Sequence, residues 1–247
     1  MAYAGPAFYD DEAIFETYRA RRQRKDNPND TLEKPVILKM IGNLTNRRIL
    51  DLGCGDAAWG QEALAKGCQS YLGIEGSHNM VMAAQQLLAG TKGEVQQATL
   101  ESWDYPAAAF DLVISRLVLH YIQDVEALFR QVYKTLVAAG QFVFSVEHPV
   151  ITSSDKAWQG KGLRQDWVVD NYFDPGQRIT SWMNGEVIKY HRTVEDYFVA
   201  LQRVGFVVEN LSEATPQREY FGEDEATYQR RRRIPLFLIL SACKKAG

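Results

Sequence analysis

Cysteine is scarce: Cys54, Cys68 and Cys243 are the only three in 247 residues. Three cannot all pair, and no two form a Cys-x-x-Cys. A disulfide framework and a cysteine zinc site are therefore not expected, and a reducing cytoplasm is. Long apolar runs are missing too. The longest, FDLVISRLVLHYI, carries Arg116 and His120 and falls short of the ~20 residues of a spanning helix. The start, MAYAGPAFYDDE, has no basic stretch followed by an apolar one, so a signal peptide is not expected. A large excess of either charge is missing as well: 28 Lys and Arg against 31 Asp and Glu leave a formal net charge of −3, which argues against binding of polyanions by the molecule as a whole. No internal repeat and no low-complexity linker divides the chain.

What is present is a rhythm. Residues 1–44 read as helical, with DDEAIFETYRARRQRK and TLEKPVILKMIG separated by NPND; Thr31 is placed to cap the second helix and Pro35 falls in its first turns. From residue 45 to 148 short apolar runs alternate with helical patterns. RRILDLG, SYLGIEG, EVQQATL, FDLVISR and GQFVFSVEH read as strands. QEALAKG, the segment after Ser77 and the segment after Asp124 read as helices. Strands separated by helices mean βαβ units and a parallel sheet covered on both faces. The rhythm stops at Pro149. Residues 149–192 are polar but rich in aromatics. Order returns over 193–247, where Thr193 and Asp196 fit a capping box, Gly205 stops the helix, and FVVENLSEA and PLFLILSACK read as the last strands. The expectation is one α/β domain with an inserted segment.

The chemistry starts at ILDLGCGDAAWG, a strand running through glycines 53 and 55 into a helix. Such a turn lets a ligand approach bare backbone at the carboxyl end of a parallel sheet. A dinucleotide fingerprint needs glycine at its sixth position, where Ala58 stands, and no Gly-Lys-Ser/Thr follows for a phosphate loop. Asp51 inside the strand end repels a diphosphate but attracts an amine or sulfonium. The expected ligand is a nucleoside carrying positive charge. Glu75 ends the second strand, where an acid accepts both ribose hydroxyls.

These residues, with YLGIEGSHNM, the ATLESWDY and FDLVISRLVLHYI block, and LVAAGQFVFSVEH, resemble the class I methyltransferases that use S-adenosylmethionine (SAM). The resemblance implies a doubly wound, Rossmann-like α/β fold with a seven-stranded, mostly parallel sheet and an antiparallel terminal hairpin. It also implies that Asp51, Gly53, Cys54 and Gly55 line the methionine part. Glu75 with Gly76 and Met80 would hold the ribose side, Leu100 and Glu101 would flank adenine, and Arg116 would stand beside the sulfonium. Thr99 departs from a common aspartate, and Val137-Ala138-Ala139-Gly140 replaces a Lys-Pro-Gly-Gly stretch. YRARR…NPNDTLEKP and YFDPGQRITSWMNGEVIKYHRT resemble a UbiE/UbiG-like small-molecule subgroup. There the first segment is an N-terminal lid, which implies that Tyr9, Tyr18 and Arg22 close over SAM.

On the acceptor side, Ser115-Arg116-Leu117-Val118 replaces the Asn/Asp-Pro-Pro-aromatic motif of nucleic-acid amino methylases, so DNA is not an expected partner. Basic residues cluster at Arg19, Arg21, Arg22, Arg24 and Lys25 and again at Arg230–Arg233. They read as solvated faces from which one or two arginines could meet a small anion. Trp158, Tyr172, Trp182 and Tyr190, with Trp167 and Phe173, are candidates to face a flat acceptor. Glu147 and His148 are the preferred base candidates, with His120 and His191 as alternatives; His78 reads as structural. No histidine spacing suggests a metal site. The expectation is a cytoplasmic SAM-dependent enzyme, monomer or homodimer, releasing S-adenosylhomocysteine. It would methylate O or N of a small planar metabolite without a metal, a DNA partner or a membrane. A tRNA or protein methylase and a non-catalytic SAM binder are its rivals, and a nicotinamide dehydrogenase is a more distant one.

Overall fold

The computed structural model describes residues 2–22, 24, 27–155, 167–183 and 185–246. Its first elements are β1 (Tyr3–Ala4), a 3-10 turn over Gly5–Asp10 and α1 (Glu12–Arg22). A π turn, Asn29–Glu33, feeds α2 (Lys34–Ile41). Then come β2 (Arg48–Leu52), α3 (Ala58–Ala65), β3 (Ser70–Glu75), α4 (His78–Leu88), β4 (Gly93–Gln97), β5 (Phe110–Arg116), α5 (Val125–Thr135) and β6 (Leu136–Glu147). The chain continues through α6 (Pro149–Thr152), β7 (Gly176–Trp182), β8 (Gly185–His191), α7 (Val194–Val204), β9 (Phe206–Ser212), α8 (Glu225–Arg231) and β10 (Phe237–Lys244).

Seven strands form one sheet in the order β4-β3-β2-β5-β6-β10-β9. The first five are parallel, and β10 runs antiparallel to both β6 and β9. This is the expected doubly wound sheet with an antiparallel end. Alternation along β2 explains its two cores. Leu50 and Leu52 join a cluster with Phe129 of α5 and Leu201 of α7, whereas Ile49 joins one with Ile37 of α2, Trp59 of α3 and Ala84 of α4. A strand buried on both faces reads as a near-continuous apolar run, and in RILDL the buried exception is Asp51.

The caps follow the sequence closely. Ser77 accepts from the Met80 N–H, Asp124 from the Ala127 N–H, and Thr193 and Asp196 form a reciprocal box on α7. Thr31 is a correction. Its hydroxyl donates to the Asn27 carbonyl at 3.1 Å inside the π turn, so it caps nothing. Within residues 149–192, read as an aromatic-rich insertion in which the alternating rhythm stops, no strands were expected. There β7 and β8 form an antiparallel hairpin, and β1 adds to β8 as a parallel third strand. Its inward face carries Lys189 and His191 beside Val187, so the period-2 signal lacks its usual apolar contrast. Helix α8, holding part of the Arg230–Arg233 run, was not foreseen either. Among the described residues no helix is long and apolar enough to cross a membrane.

Candidate active site

The parallel sheet brings the ends of β2 and β3 side by side, and the site begins there. Asp51 is buried and accepts a hydrogen bond from the Tyr71 hydroxyl at 2.7 Å. Burial pushes its carboxyl up to about 7, against the pull of Tyr71 and the Arg116 charge. Gly60 sets Tyr71 in place: a Cβ at residue 60 would stand 2.3 Å from the Tyr71 ring. Gly53, at φ +74°, lets Val118 approach to where a Cβ would be 2.4 Å away. Gly55, at φ +57°, has nothing within 4 Å of its missing side chain. The turn thus shows bare backbone on that side, as a close-lying ligand requires.

Glu75 ties the two strand ends together. Its carboxylate accepts from the Gly55 N–H at 3.0 Å and from the Ser77 N–H at 2.9 Å. Burial raises its pKa, and those backbone donors work against the rise. A carboxylate has about four lone-pair sites, so two amides leave it able to accept from a pair of hydroxyls. The Cys54 thiol is pushed well up, by burial first and then by Asp51 and Glu75, and it fills the space above Gly73 as a packing group. Met80 and Leu100 are buried, whereas Glu101 is exposed. The donor set fits an adenosyl ligand with a cationic end: an acid for the ribose, a buried acid for the cation, and open backbone between them.

The N-terminal segment sits on this edge. Pro6 covers Gly76 so closely that a Cβ there would lie 2.4 Å from the Pro6 ring. The Asp10 carboxylate accepts from the Ser77 hydroxyl at 2.7 Å and from the Asn79 N–H at 3.3 Å, an anion at the start of α4. Tyr9 and Tyr18 meet edge to face at 5.1 Å, and both hydroxyls feel the charge of Glu75. The Tyr18 hydroxyl, pushed up to about 12 chiefly by burial, also feels Arg22, Asp56 and Arg116. Arg22 itself forks onto Asp30 at 3.3 and 3.4 Å. Arg116 forks onto Glu33, which is fully buried and also accepts from the Ser145 hydroxyl at 2.8 Å. Sequence reasoning missed Glu33, and its place in the π turn gives no local signal for it.

Beyond the end of β6 lies a second group. Glu147 receives Lys189 of β8 at 2.7 Å on both oxygens. Burial pushes Glu147 up, but Lys189 and His120 outweigh it and hold the carboxyl below its ordinary range. Lys189 is raised, since the attraction to Glu147 outweighs burial, so the pair is ionised. The His120 ring accepts the Glu147 N–H at its Nδ1, at 3.4 Å, and burial brings its pKa down to about 4. Tyr121 lies against His120 at 4.3 Å, shares a hydrogen bond with the Tyr9 hydroxyl, and stands 5.9 Å from the Lys189 ammonium. Trp182 lies 5.6 Å from that ammonium and 4.6 Å from the Arg21 guanidinium. Lys189 and Tyr121 were absent from the expected site, and Arg21 was read only as one member of the N-terminal basic run.

The remaining expected residues are elsewhere. His148 is the cap of α6: its Nδ1 accepts from the Val150 N–H at 3.1 Å and its Nε2 meets Glu213 at 2.9 Å. It therefore does not share the Glu147 cluster. His191 is wedged between the Thr152 hydroxyl at 2.8 Å and the Tyr172 carbonyl at 2.9 Å, so both ring nitrogens are spent on structure. Tyr172 and Phe173 line a surface hollow with Val194, Phe198 and Leu211. Tyr190 pairs with Gln177 on the hairpin face opposite Lys189. Trp167 donates to the Val150 carbonyl at 3.0 Å. Trp158 lies outside the described residues. Among the described residues, no three His, Cys, Asp or Glu side chains gather as a metal-holding group.

A family profile described as a methyltransferase domain matches residues 50–144. An S-adenosylmethionine-dependent methyltransferase of known structure from Mesorhizobium loti is 34% identical, with a TM-score of 0.79 over 86% of this chain and 97% of that one. A Listeria monocytogenes structure assigned to the same activity is 32% identical, with a TM-score of 0.80 over 86% of this chain and 96% of that one. An uncharacterized methyltransferase of Schizosaccharomyces pombe is 30% identical over 191 residues, 72% of this chain and 67% of that protein.

Proposed function

The chain belongs to the S-adenosylmethionine-dependent methyltransferases, and on that premise we propose that it methylates oxygen or nitrogen of a small, planar aromatic or heterocyclic metabolite. In this reading Glu75 holds the ribose hydroxyls, with Gly76 and Met80 beside it. Asp51 and the backbone of Gly53, Cys54 and Gly55 hold the methionyl end, and Leu100 and Glu101 flank the adenine. SAM, when bound, supplies a methyl group already activated on a sulfonium. The protein's part is then to align the acceptor and keep water out. Residues 1–44 act as the lid, with Tyr9 and Tyr18 above Glu75. The observation that carries the reading is the Glu75 clamp on Gly55 and Ser77, which joins both turns of an adenosyl site.

A general base is needed only when the acceptor must lose a proton during transfer. The candidates here are weak ones. Glu147 is held below its ordinary pKa with Lys189 on both oxygens, and His120 is a poor base at about 4. The acceptor therefore arrives in its nucleophilic form. Affinity to the UbiE/UbiG-like subgroup, independence of metal ions and a cytoplasmic setting belong to the same proposal; a chelator tests the second. The direct test is calorimetric titration with SAM, S-adenosylhomocysteine and NAD, followed by an acceptor screen read by product mass. Binding of the adenosyl ligands alone is expected, and Glu75→Ala weakens it by about 1–3 kcal/mol through lost charged hydrogen bonds. Binding of NAD alone, or affinity untouched by Glu75→Ala, overturns the assignment.

A further inference from the structure

Resting on that cofactor reading, we propose that the cluster beneath the N-terminal segment is a subsite for an oxyanion of the methyl acceptor, a carboxylate or a phosphate. Its donors are Lys189, His120, Trp182 and Arg21.

Hydrogen-bond donors outnumber acceptors in this cluster. Glu147 is the carboxylate of the cluster, and Lys189 occupies both its oxygens. An ammonium has three N–H groups, so Lys189 keeps one for a further partner. His120 accepts the Glu147 N–H at Nδ1, which leaves the neutral ring its proton on Nε2. That Nε2–H makes no hydrogen bond among the described residues. The Trp182 indole N–H is buried with no partner, and an indole can only donate. Arg21 lies against the same indole at 4.6 Å and has no carboxylate partner among the described residues.

The surplus is one-sided. An ammonium or a sulfonium brought into this cluster finds its carboxylate already paired. An oxyanion finds the Trp182 N–H, a buried donor without an acceptor and so costly to keep, beside the spare N–H groups of Lys189 and His120. Arg21 adds the positive charge that the neutral Lys189–Glu147 pair cannot. Tyr9, Tyr18, Tyr121 and Trp182 supply flat apolar faces for the rest of the acceptor. The reading also gives a use to one arginine of the N-terminal basic run, while Arg19 and Arg22 are paired with Glu16 and Asp30.

The test uses the full chain saturated with S-adenosylhomocysteine and titrated with benzoate, phenyl phosphate, benzylamine and benzyl alcohol. One of the two anions binds and the amine and alcohol do not; the tighter anion says whether the group is a carboxylate or a phosphate. Affinity for that anion falls at least tenfold in Arg21→Ala and in the charge-neutral double variant Lys189→Met with Glu147→Gln. It falls severalfold in Trp182→Phe, which keeps the ring and removes the N–H. S-adenosylhomocysteine affinity stays within twofold throughout. Arg21→Ala changes an exposed side chain, so the test survives if the double variant does not fold. Preference for benzylamine, anion binding indifferent to these variants, or no anion bound by a protein that binds S-adenosylhomocysteine each overturns the subsite. A protein that does not bind S-adenosylhomocysteine sinks the cofactor reading instead, and the same anion-against-amine comparison on the unloaded chain then decides the subsite.

Discussion

The cofactor edge and the acceptor cluster are built on opposite plans. On the cofactor edge Asp51, Gly55, Tyr71, Glu75 and Ser77 come from one βαβ unit, and neighbouring strands set their contacts directly. The acceptor cluster is collected from the whole chain: Tyr9 and Arg21 from the start, His120 and Tyr121 after β5, Glu147 from β6, Lys189 and Trp182 from the hairpin. Backbone geometry holds the first, and a buried ion pair and aromatic contacts hold the second. One scaffold can thus keep its cofactor chemistry fixed while the acceptor side is free to change.

If that contrast is right, the two sides break differently. Lys189→Met leaves the mostly buried Glu147 carboxylate without its partner, and such a stranded charge costs about 3–5 kcal/mol. A large fall in Tm is expected, most of it recovered by adding Glu147→Gln. A Tm near that of the unmodified chain would mean the pair holds nothing together. On the cofactor edge the corresponding lesion is steric. Gly60→Ala puts a methyl group 2.3 Å from the Tyr71 ring. Overpacking of this kind costs about 1–3 kcal/mol, enough to cancel the helix preference of alanine. Thermal unfolding together with weaker SAM binding would show that the ring positions Asp51. Loss of stability with full SAM affinity would separate the two.

The same contrast explains what could be read from the sequence. The strands of the large sheet and the caps at Ser77, Asp124 and Thr193 were legible, because periodicity and capping are local, while the antiparallel end followed from the family resemblance. Asp51, Gly55 and Glu75 were placed together by their spacing at the ends of consecutive strands. Lys189 was invisible, since a lysine in a polar hairpin looks solvated until its partner 42 residues away is known. Glu33 was hidden in the same way, its partner Arg116 lying 83 residues on. The histidines misled for a related reason: position after a strand does not reveal whether both ring nitrogens are already spent, as they are in His148 and His191.

Proton linkage sharpens the comparison on the cofactor side. The Asp51 carboxyl is raised to about 7, above its ordinary value of 3.8, so the folded chain without ligand holds a proton that the unfolded chain releases. Asp51 therefore lowers stability progressively as pH rises from about 4 to about 7. A cationic ligand prefers the ionised carboxylate, so SAM affinity is expected to rise by up to about tenfold per unit as pH approaches 7 from below. Asp51→Asn should flatten that profile. Glu75 is raised in the same direction, so a profile that survives Asp51→Asn but disappears in Glu75→Gln would assign the linkage to the ribose acid instead.

The smallest effect is the most pointed. His148, an attractive base by its position after β6, is occupied as the cap of the four-residue α6, and its other nitrogen meets a Glu213 side chain that is 57% exposed. His148→Ala should cost about 1 kcal/mol, the usual value of a lost cap, because exposed pairs add little. Turnover at saturating acceptor should be unchanged. His148→Asn, which keeps an acceptor for the Val150 N–H, should restore most of the stability. His120→Phe is the counterpart on the acceptor cluster. It removes one N–H donor, should raise the KM for the acceptor, and should leave SAM affinity alone. If instead His148→Ala abolished turnover with stability intact, the acceptor would have to approach from the Glu213 side, and the cluster around Lys189 would lose its claim to the substrate.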